Sequence, residues 1–238
     1  MGAPIWRGTN MKRTQLAKLL TFLPLAMTLI WLQFLPDRVP IRYSFSGAID
    51  AWGSKWTYLI LPGVVLAMGI AIAATALRTN RASTPDAQQQ AHLEANVKVL
   101  QGVLLATGLF FTGLQAVILY FAGRDAAGTA PSGASLLRVI AIGLGLMSVF
   151  LGNLMPRSRR NSTFGLRCAW SQYSDETWRR TNWFGGIAMM VSGILTVLGA
   201  VLTPETWAIG IALAMISLAL IVSLCYARRV YRKEKAKG

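Results

Sequence analysis

The chain has 238 residues, of which 54% are hydrophobic and only 14% are charged, and it carries a formal net charge of +15. Soluble domains usually carry roughly 25% charged residues, so this composition excludes an ordinary soluble domain. The apolar residues are concentrated in six runs of about 20 residues or more, each long enough to cross the roughly 30 Å hydrocarbon core as a helix. The runs are Leu16–Leu35, Trp56–Leu77, Val97–Phe121, Leu136–Met155, Trp183–Leu202 and Trp207–Tyr226.

Segments that cross a bilayer must satisfy their own backbone hydrogen bonds, so the runs predict an all-α membrane protein with six transmembrane helices. The first run is longer than the apolar part of a signal peptide, and no small-residue cleavage site follows it, so we expect it to be retained. Met11, followed by Lys12 and Arg13, has the pattern of a natural start. Residues 1–10 are therefore interpreted as an addition upstream of that start.

The basic residues are distributed unevenly between the two sides of this arrangement. One side holds those before the first run, in the second and fourth connections and in the tail. The other side holds only Arg38, Arg42, Lys55, Arg124 and Arg138. The positive-inside rule then predicts cytoplasmic termini in a bacterial inner membrane. Topology and attraction to anionic lipids account for most of the charge, so the bilayer is the expected partner and direct nucleic-acid binding is not.

The runs divide the chain into five regions. Residues 1–15 form a cytoplasmic tail, and residues 16–77 form a helix pair with an outer loop at 36–55. Residues 78–135 contain a third helix with its connections. Residues 136–226 form a C-terminal region with a cytoplasmic segment at 153–186, and residues 227–238 form a basic cytoplasmic tail. The polar second connection is expected to be either a loose loop or an extension of the third helix. Within the runs there is no Asp or Glu, which disfavours a proton-driven transporter because such proteins usually keep an acid near mid-membrane.

The outer loop has the pattern of a short hairpin. Apolar residues at alternate positions from Val39 to Phe45 predict a strand, and Ser46 with Gly47 predicts a turn. Ser54 is predicted to cap the second helix. A hairpin that only seals the outer face would explain the same pattern.

The polar segment from Asn153 to Gly186 combines six arginines, three tryptophans and turn residues. Asn153 lies one turn inside the end of the fourth helix, where its amide needs partners, and Pro156 is expected to end that helix. Ser174 is a predicted N-cap followed by acids in the first turn of a helix. On that helix one face is predicted to carry Trp178, Thr181, Asn182 and Gly185.

This segment offers binding groups but no recognisable catalytic set. Guanidinium groups can hold a phosphate or a carboxylate in a bidentate manner. Cys168 and Cys225 are expected to be free thiols on the cytoplasmic side, and the only histidine, His92, lies in another connection. No metal-ligand spacing, phosphate loop, dinucleotide fingerprint or hydrolase elbow is present, so no metal, cofactor or catalytic residue is predicted. The candidate nucleophiles or acids Asp175, Glu176, Cys168 and Tyr173 have no partner at a suitable spacing.

Two motifs resemble those of the SdpI family of bacterial integral membrane proteins. The cytoplasmic segment matches the family signature through Gly152, Asn153, Met155, Pro156, Asn161, Gly165, Arg167, Trp170, Trp178, Thr181 and Gly185. The outer loop resembles the companion DUF1648 module through Leu35, Pro36, Val39, Pro40, Gly47, Asp50, Gly53, Ser54 and Lys55. Three family positions differ here: Arg42 and Asn182 stand where histidines are typical, and Cys168-Ala169 replaces Thr-Pro. A mechanism that needs those histidines is disfavoured.

The resemblance implies a non-enzymatic immunity and signalling protein, which gives resistance to a secreted, membrane-active peptide toxin and sequesters a cytoplasmic transcriptional repressor. One alternative is a small transporter or lipid-handling protein with a cytoplasmic arginine-rich anion site, and another is a membrane enzyme acting at the cytoplasmic interface. The candidate binding residues in the cytoplasmic segment are Asn153, Pro156, Arg157, Arg160, Asn161, Gly165, Arg167, Trp170, Trp178, Arg179 and Asn182. Those in the outer loop are Pro40, Arg42, Asp50, Gly53, Ser54 and Lys55.

Overall fold

The computed structural model describes residues 7–81, 87–128, 133–160 and 164–237. Within these residues the chain is mostly helical, with six α-helices and one two-stranded sheet, as the sequence predicts. The helices are α1 (Arg7–Trp31), α2 (Ile60–Arg81), α3 (Ala87–Ala126), α4 (Gly133–Leu154), α5 (Asp175–Leu202) and α6 (Glu205–Lys235). The strands are β1 (Arg38–Tyr43) and β2 (Ile49–Ser54), and 3₁₀ turns follow at Lys55–Leu59 and Met155–Arg157.

Among the described residues, four helical segments are long and apolar enough to cross a membrane, namely Val99–Ala126, Gly133–Arg157, Asp175–Leu202 and Glu205–Lys235. The first two predicted spans correspond to shorter apolar stretches, Leu19–Trp31 and Lys55–Ala71. The second connection is largely an extension of α3, which begins at Ala87. This 40-residue helix also includes Asp125 near its end. The candidate span Val99–Ala126 therefore contains an acid, whereas the predicted run ended at Phe121, before that residue.

The chain divides into two compact units, of which the first comprises residues 1–83 and 104–139. Here the helices approach closely where a side chain is missing: a Cβ on Gly69 would overlap the Thr21 side chain, and a Cβ on Gly108 would lie 2.8 Å from the Cβ of Leu20. Gly69 thus lies at a contact between α1 and α2. Leu32, Leu35, Val39 and Leu119 form a buried cluster that joins the base of the hairpin to α1 and α3.

The second unit comprises residues 84–103 and 140–238. In it α4 and α5 cross at two glycine pairs, Gly145 with Gly193 and Gly152 with Gly186, where a Cβ on one glycine would overlap the backbone oxygen of the other. Small residues also lie on the packed side of α5, where Ser192, Thr196 and Ala200 are all buried. Ala200 lies in a small-residue cluster with Ala141, Ala208 and Ala212. Small residues at these positions allow the backbones to approach, as is typical of helices packed in membranes.

The hairpin, residues Arg38–Ser54, is antiparallel, with Val39 opposite Gly53 and Pro40 opposite Trp52. The predicted turn is confirmed at Gly47, whose φ of 87° lies in the left-handed region that favours glycine. The predicted alternation of buried and exposed residues is wrong. Pairing is irregular between Pro40 and Arg42, so two consecutive residues, Val39 and Pro40, point inward while Ile41 is exposed.

The start of the second helix also differs from the prediction. Ser54 occupies the predicted N-cap position, but it precedes a 3₁₀ turn and its side chain makes no capping hydrogen bond. The α-helical part, α2, begins only at Ile60. By contrast, Ser174 caps α5 as predicted: its Oγ accepts a hydrogen bond from the Thr177 backbone N–H, and the Thr177 hydroxyl accepts one from the Ser174 N–H. This reciprocal arrangement fixes where α5 begins.

Candidate functional site

The arginine-rich segment, Asn153–Gly186, is organised around two buried side chains of α5. Trp178 is 2% exposed and donates from its indole Nε1 to the Ser158 carbonyl oxygen at 3.0 Å. Asn182, 1% exposed, accepts from the Leu166 backbone N–H at 2.7 Å and donates to the Trp178 carbonyl at 3.1 Å. A polar connection after α4 is therefore tied to α5 at two separate points, since buried backbone groups require such partners.

Gly165 lies where the connection meets α5. Its φ of 118° is in the left-handed region, and a Cβ there would overlap the Asn182 carboxamide oxygen and approach the Trp178 ring. Ser171, which is fully buried, donates from Oγ to the Leu166 carbonyl at 2.6 Å and accepts from the Cys168 N–H at 3.0 Å. The residues from 164 to 174 thus form a compact turn rather than an open loop.

The predicted face of α5 is confirmed, because Trp178, Thr181, Asn182 and Gly185 are all buried. Among the candidate binding residues, Trp178 and Asn182 consequently act in the described structure by positioning the segment. Asn153 is exposed, so its amide does not need the protein partners that the sequence suggested. Asn161 lies outside the described residues.

The arginines of the segment are exposed on its surface, in contrast to Trp178 and Asn182. Arg160 pairs with Asp175 at 3.1 Å, while Glu176 accepts hydrogen bonds from both Arg179 and Arg180. These contacts engage the two acids of the first turn of α5, which also lie favourably at the positive end of the helix dipole. Arg167 is exposed and apart from these pairs.

A cavity of about 660 Å³, here called the arginine cavity, opens beside the start of α5. Its walls come from the turn that ends α4 and from the first turn of α5. The lining residues are Pro156, Arg157, Ser158, Arg159, Arg160, Asp175, Glu176, Trp178 and Arg179. The structure thereby brings together the predicted candidates Pro156, Arg157, Arg160, Trp178 and Arg179.

Trp170 lies elsewhere, with the Arg228 guanidinium 5.9 Å from its ring centroid. This cation–π contact links the segment to α6. Tyr173 similarly makes an edge-to-face contact with Tyr231 of α6, with ring centroids 5.1 Å apart. Of the groups considered for catalysis, Asp175 and Glu176 are held in ion pairs, and Cys168 and Cys225 are free thiols as predicted. Within the part of the chain that the structure describes, no cluster of His, Cys, Asp or Glu could hold a metal ion.

The hairpin is the second group of candidate residues, and its contacts fasten it at several points. Tyr43 donates a hydrogen bond from its hydroxyl to the Asp125 carboxylate at 2.8 Å, and Tyr58 donates to the carbonyl of the buried Pro40. Burial, and then the hydrogen bond and negative charge of Asp125, raise the pKa of Tyr43 well above its usual range. The tyrosine therefore stays a proton donor at every ordinary pH.

The charged residues in and beside the hairpin form two ion pairs that differ in exposure. Lys55 bonds to Asp37 at 3.1 Å and to the Leu35 carbonyl at 3.1 Å, which closes the base of the hairpin. Arg42 and Asp50 face each other across the strands at 3.6 Å, both largely exposed. Gly53 lies against the Ile41 side chain, where a Cβ would not fit without displacement, and Ser54 is exposed.

Sequence reasoning missed the partners of these contacts. Asp125 lies 82 residues along the chain from Tyr43, and Tyr58 lies 18 from Pro40. By contrast, Gln115 of α3 bonds across helices as its place in an apolar run predicts, donating to both the Thr28 hydroxyl and the Tyr58 carbonyl. A polar residue in an apolar run was the only available signal for Gln115. Ser171 had no signal, because its role depends on the fold of the turn.

Comparisons with known proteins give matches that overlap the hairpin and the arginine-rich segment. Residues 157–227 match the SdpI/YfhL protein family, and residues 19–66 match DUF1648, a domain of unknown function. The chain is 23% identical over 225 residues to the Immunity protein SdpI of Bacillus subtilis (strain 168), a match that covers 94% of this chain and 98% of the relative. No solved structure matches the chain. The chain is therefore a multi-pass bacterial membrane protein that is similar to DUF1648 over residues 19–66 and to the SdpI/YfhL family over residues 157–227.

Proposed function

We propose that this protein is an immunity-type membrane protein that protects its cell against a membrane-active peptide. In this proposal six helices cross the membrane, both termini are cytoplasmic, the hairpin faces outward and the arginine-rich segment faces the cytoplasm. The observation that carries the proposal is the similarity to an immunity protein along nearly the whole of both chains. A match of that extent includes both the hairpin and the arginine-rich segment.

The hairpin has the surface chemistry to meet an amphipathic peptide. Phe45 at its turn is 70% exposed and Trp52 on β2 is 48% exposed. Exposed aromatic side chains beside a cation such as Arg42 are typical of surfaces that bind partners, because they bury a large apolar area at low cost in side-chain entropy. The anchoring through Tyr43 and Lys55 holds this surface in one conformation, which favours binding.

The arginine-rich segment has a different surface, suited to a soluble cytoplasmic partner. Its exposed guanidinium groups can pair with carboxylates of an acidic protein surface. We infer that this segment sequesters a cytoplasmic repressor when the hairpin is occupied. The segment is tied to α5 through Trp178 and Asn182, so a movement of that helix would be transmitted to the arginines.

The function is tested by survival. The full chain is produced in a bacterial strain sensitive to membrane-active peptides, and killing is measured across a panel of such peptides with and without the protein. We expect the protein to raise the lethal concentration of at least one peptide. Equal killing in both strains across the panel would contradict an immunity function.

The orientation is tested by thiol labelling in spheroplasts. A membrane-impermeant maleimide is expected to leave Cys225 unlabelled until the membrane is permeabilised, because the proposal places the exposed end of α6 inside. The substitution Ser46→Cys in the exposed turn of the hairpin serves as the matched control and should be labelled in intact spheroplasts. Labelling of Cys225 without permeabilisation, or protection of the hairpin cysteine in intact spheroplasts, would contradict the proposed orientation.

A further inference from the structure

The lining of the arginine cavity contains more positively than negatively charged side chains. Four arginines line it, Arg157, Arg159, Arg160 and Arg179, against two carboxylates, those of Asp175 and Glu176. At neutral pH the lining therefore has an excess of two positive charges. Guanidinium groups stay charged at any physiological pH, so the excess favours an anionic ligand over a neutral or a cationic one.

The two carboxylates of the lining are already engaged. Asp175 is paired with Arg160 at 3.1 Å. Glu176 forms a bidentate contact with Arg179, with both distances 2.9 Å, and also contacts Arg180, which is not part of the lining. Arg157 forms no ion pair with any residue that the structure describes. Its five N–H donors are therefore available to a ligand.

The cavity wall is fixed rather than formed by loose side chains alone. The indole of Trp178 joins the α5 wall to the Ser158 carbonyl of the opposite wall at 3.0 Å. On the same side, the Ser158 hydroxyl donates to the Met155 carbonyl at 2.8 Å, which closes the turn that carries Arg157 and directly precedes Arg159. The arginine backbones are thus held in place, and a ligand would have to order only their side chains.

We propose that the arginine cavity binds a phosphate monoester group. Its volume of about 660 Å³ lies within the range of roughly 300–1,000 Å³ that is usual for small-molecule sites. A phosphate monoester carries a charge near −2 above its second pKa of about 6 and has three strong acceptor oxygens. It matches both the excess charge and the donor set of the lining, whereas a carboxylate supplies half the charge. The proposal is independent of the immunity function.

Two sources can present this group at a membrane surface, a soluble phosphate ester and the headgroup of phosphatidic acid. The cavity adjoins the end of the apolar helix α4 through Pro156, so both can reach it. The chemistry is the same in either case, since the recognised group is the phosphate itself. The experiment therefore contains one arm for each source.

The test uses the full chain in phosphatidylcholine nanodiscs and titrates inorganic phosphate by calorimetry, at constant ionic strength maintained with chloride. Saturable binding is expected. The double substitution Arg157→Gln and Arg159→Gln should raise the dissociation constant at least about tenfold, as expected for loss of charge-assisted contacts. The matched control is Arg229→Gln with Lys233→Gln, which removes two exposed charges of α6 outside the cavity and should change the constant by less than about twofold.

The second arm repeats the wild-type titration in nanodiscs that contain phosphatidic acid. A marked rise in the apparent dissociation constant identifies the lipid headgroup as the occupant, and an unchanged constant identifies a soluble phosphate ester; both results support the site. No saturable binding in phosphatidylcholine, or equal weakening by the cavity and control substitutions, would overturn the proposal. If the double variant does not fold, the single substitution Arg157→Gln replaces it, because that exposed side chain has no described ion-pair partner.

Discussion

The indole of Trp178 provides the sharpest test of how the arginine-rich segment is held. Trp178→Phe removes the hydrogen bond to the Ser158 carbonyl and leaves that buried acceptor without its partner. An orphaned buried polar group costs about 1–3 kcal/mol. The smaller ring also leaves a void beside Gly165, whose position is set by contact with the indole, and this adds about 1 kcal/mol for the lost apolar contact.

The expected loss is therefore about 2–4 kcal/mol in the free energy of unfolding, measured by denaturant titration of the purified protein in detergent. Trp183→Phe is the matched control, because Trp183 lies on the same helix but is 55% exposed; its loss should stay within about 0.5 kcal/mol. Limited proteolysis adds a local readout, since the turn at 164–174 should be cut faster in the Trp178 variant only. Equal stability of the two variants would refute the view that this indole anchors the segment.

Three further substitutions test other contacts by the same unfolding measurement. Gly193→Ala places a Cβ against the backbone of α4 and should cost about 1–3 kcal/mol, while Gly210→Ala, where nothing lies within 4 Å, should cost nothing; the packing account fails if both behave alike. Tyr43→Phe should cost about 1–3 kcal/mol through the lost bond to Asp125. Because the pKa of Tyr43 is raised in the folded state, that deficit should be full below pH of about 10, the ordinary tyrosine value, and should shrink as the pH rises above it; a deficit that grows instead has the wrong sign. Ser174→Ala removes the cap of α5 and should cost about 0.5–2 kcal/mol, and an unchanged stability would show that the cap contributes nothing.

Features set by neighbouring residues were predictable from the sequence. The cap at Ser174 and the turn at Gly47 depend on a few consecutive residues, and both are present in the structure. The buried face of α5 followed from helical spacing alone, because residues three and four apart share a face. For the connection before Val99 the sequence left a loose loop and a helical extension both open, and in the structure α3 begins at Ala87.

Features that depend on distant pairing were not predictable. The Tyr43–Asp125 bond joins residues 82 positions apart, and no sequence pattern near Asp125 indicates which residue it bonds to. The irregular pairing after Pro40 changed which side chains of β1 are exposed, because one shifted residue reverses the faces of those that follow. Likewise, the glycines of α4 and α5 could be recognised as small residues, but their pairing across the two helices required the fold.

The arginine cavity shows the same division between local and distant information. The arginines were identified as possible anion ligands from their density in the sequence. Which of them converge could not be inferred, because Arg157 and Arg179 lie 22 positions apart and meet at one cavity where α5 contacts the turn after α4 through the bond of Trp178 to Ser158. Arg167, which belongs to the family signature, is not among the lining residues.

The central claim, that the hairpin meets a membrane-active peptide, is tested most directly by survival of cells that carry hairpin variants. Phe45→Ala combined with Trp52→Ala removes the exposed aromatic surface, and Trp207→Ala removes an exposed tryptophan at the start of α6, outside the hairpin, as the control. All proteins are first brought to equal membrane abundance. The account predicts that the double variant loses protection, with the lethal peptide concentration falling to that of cells without the protein, while the control protects like wild type. Full protection by the double variant, at equal abundance, would contradict it.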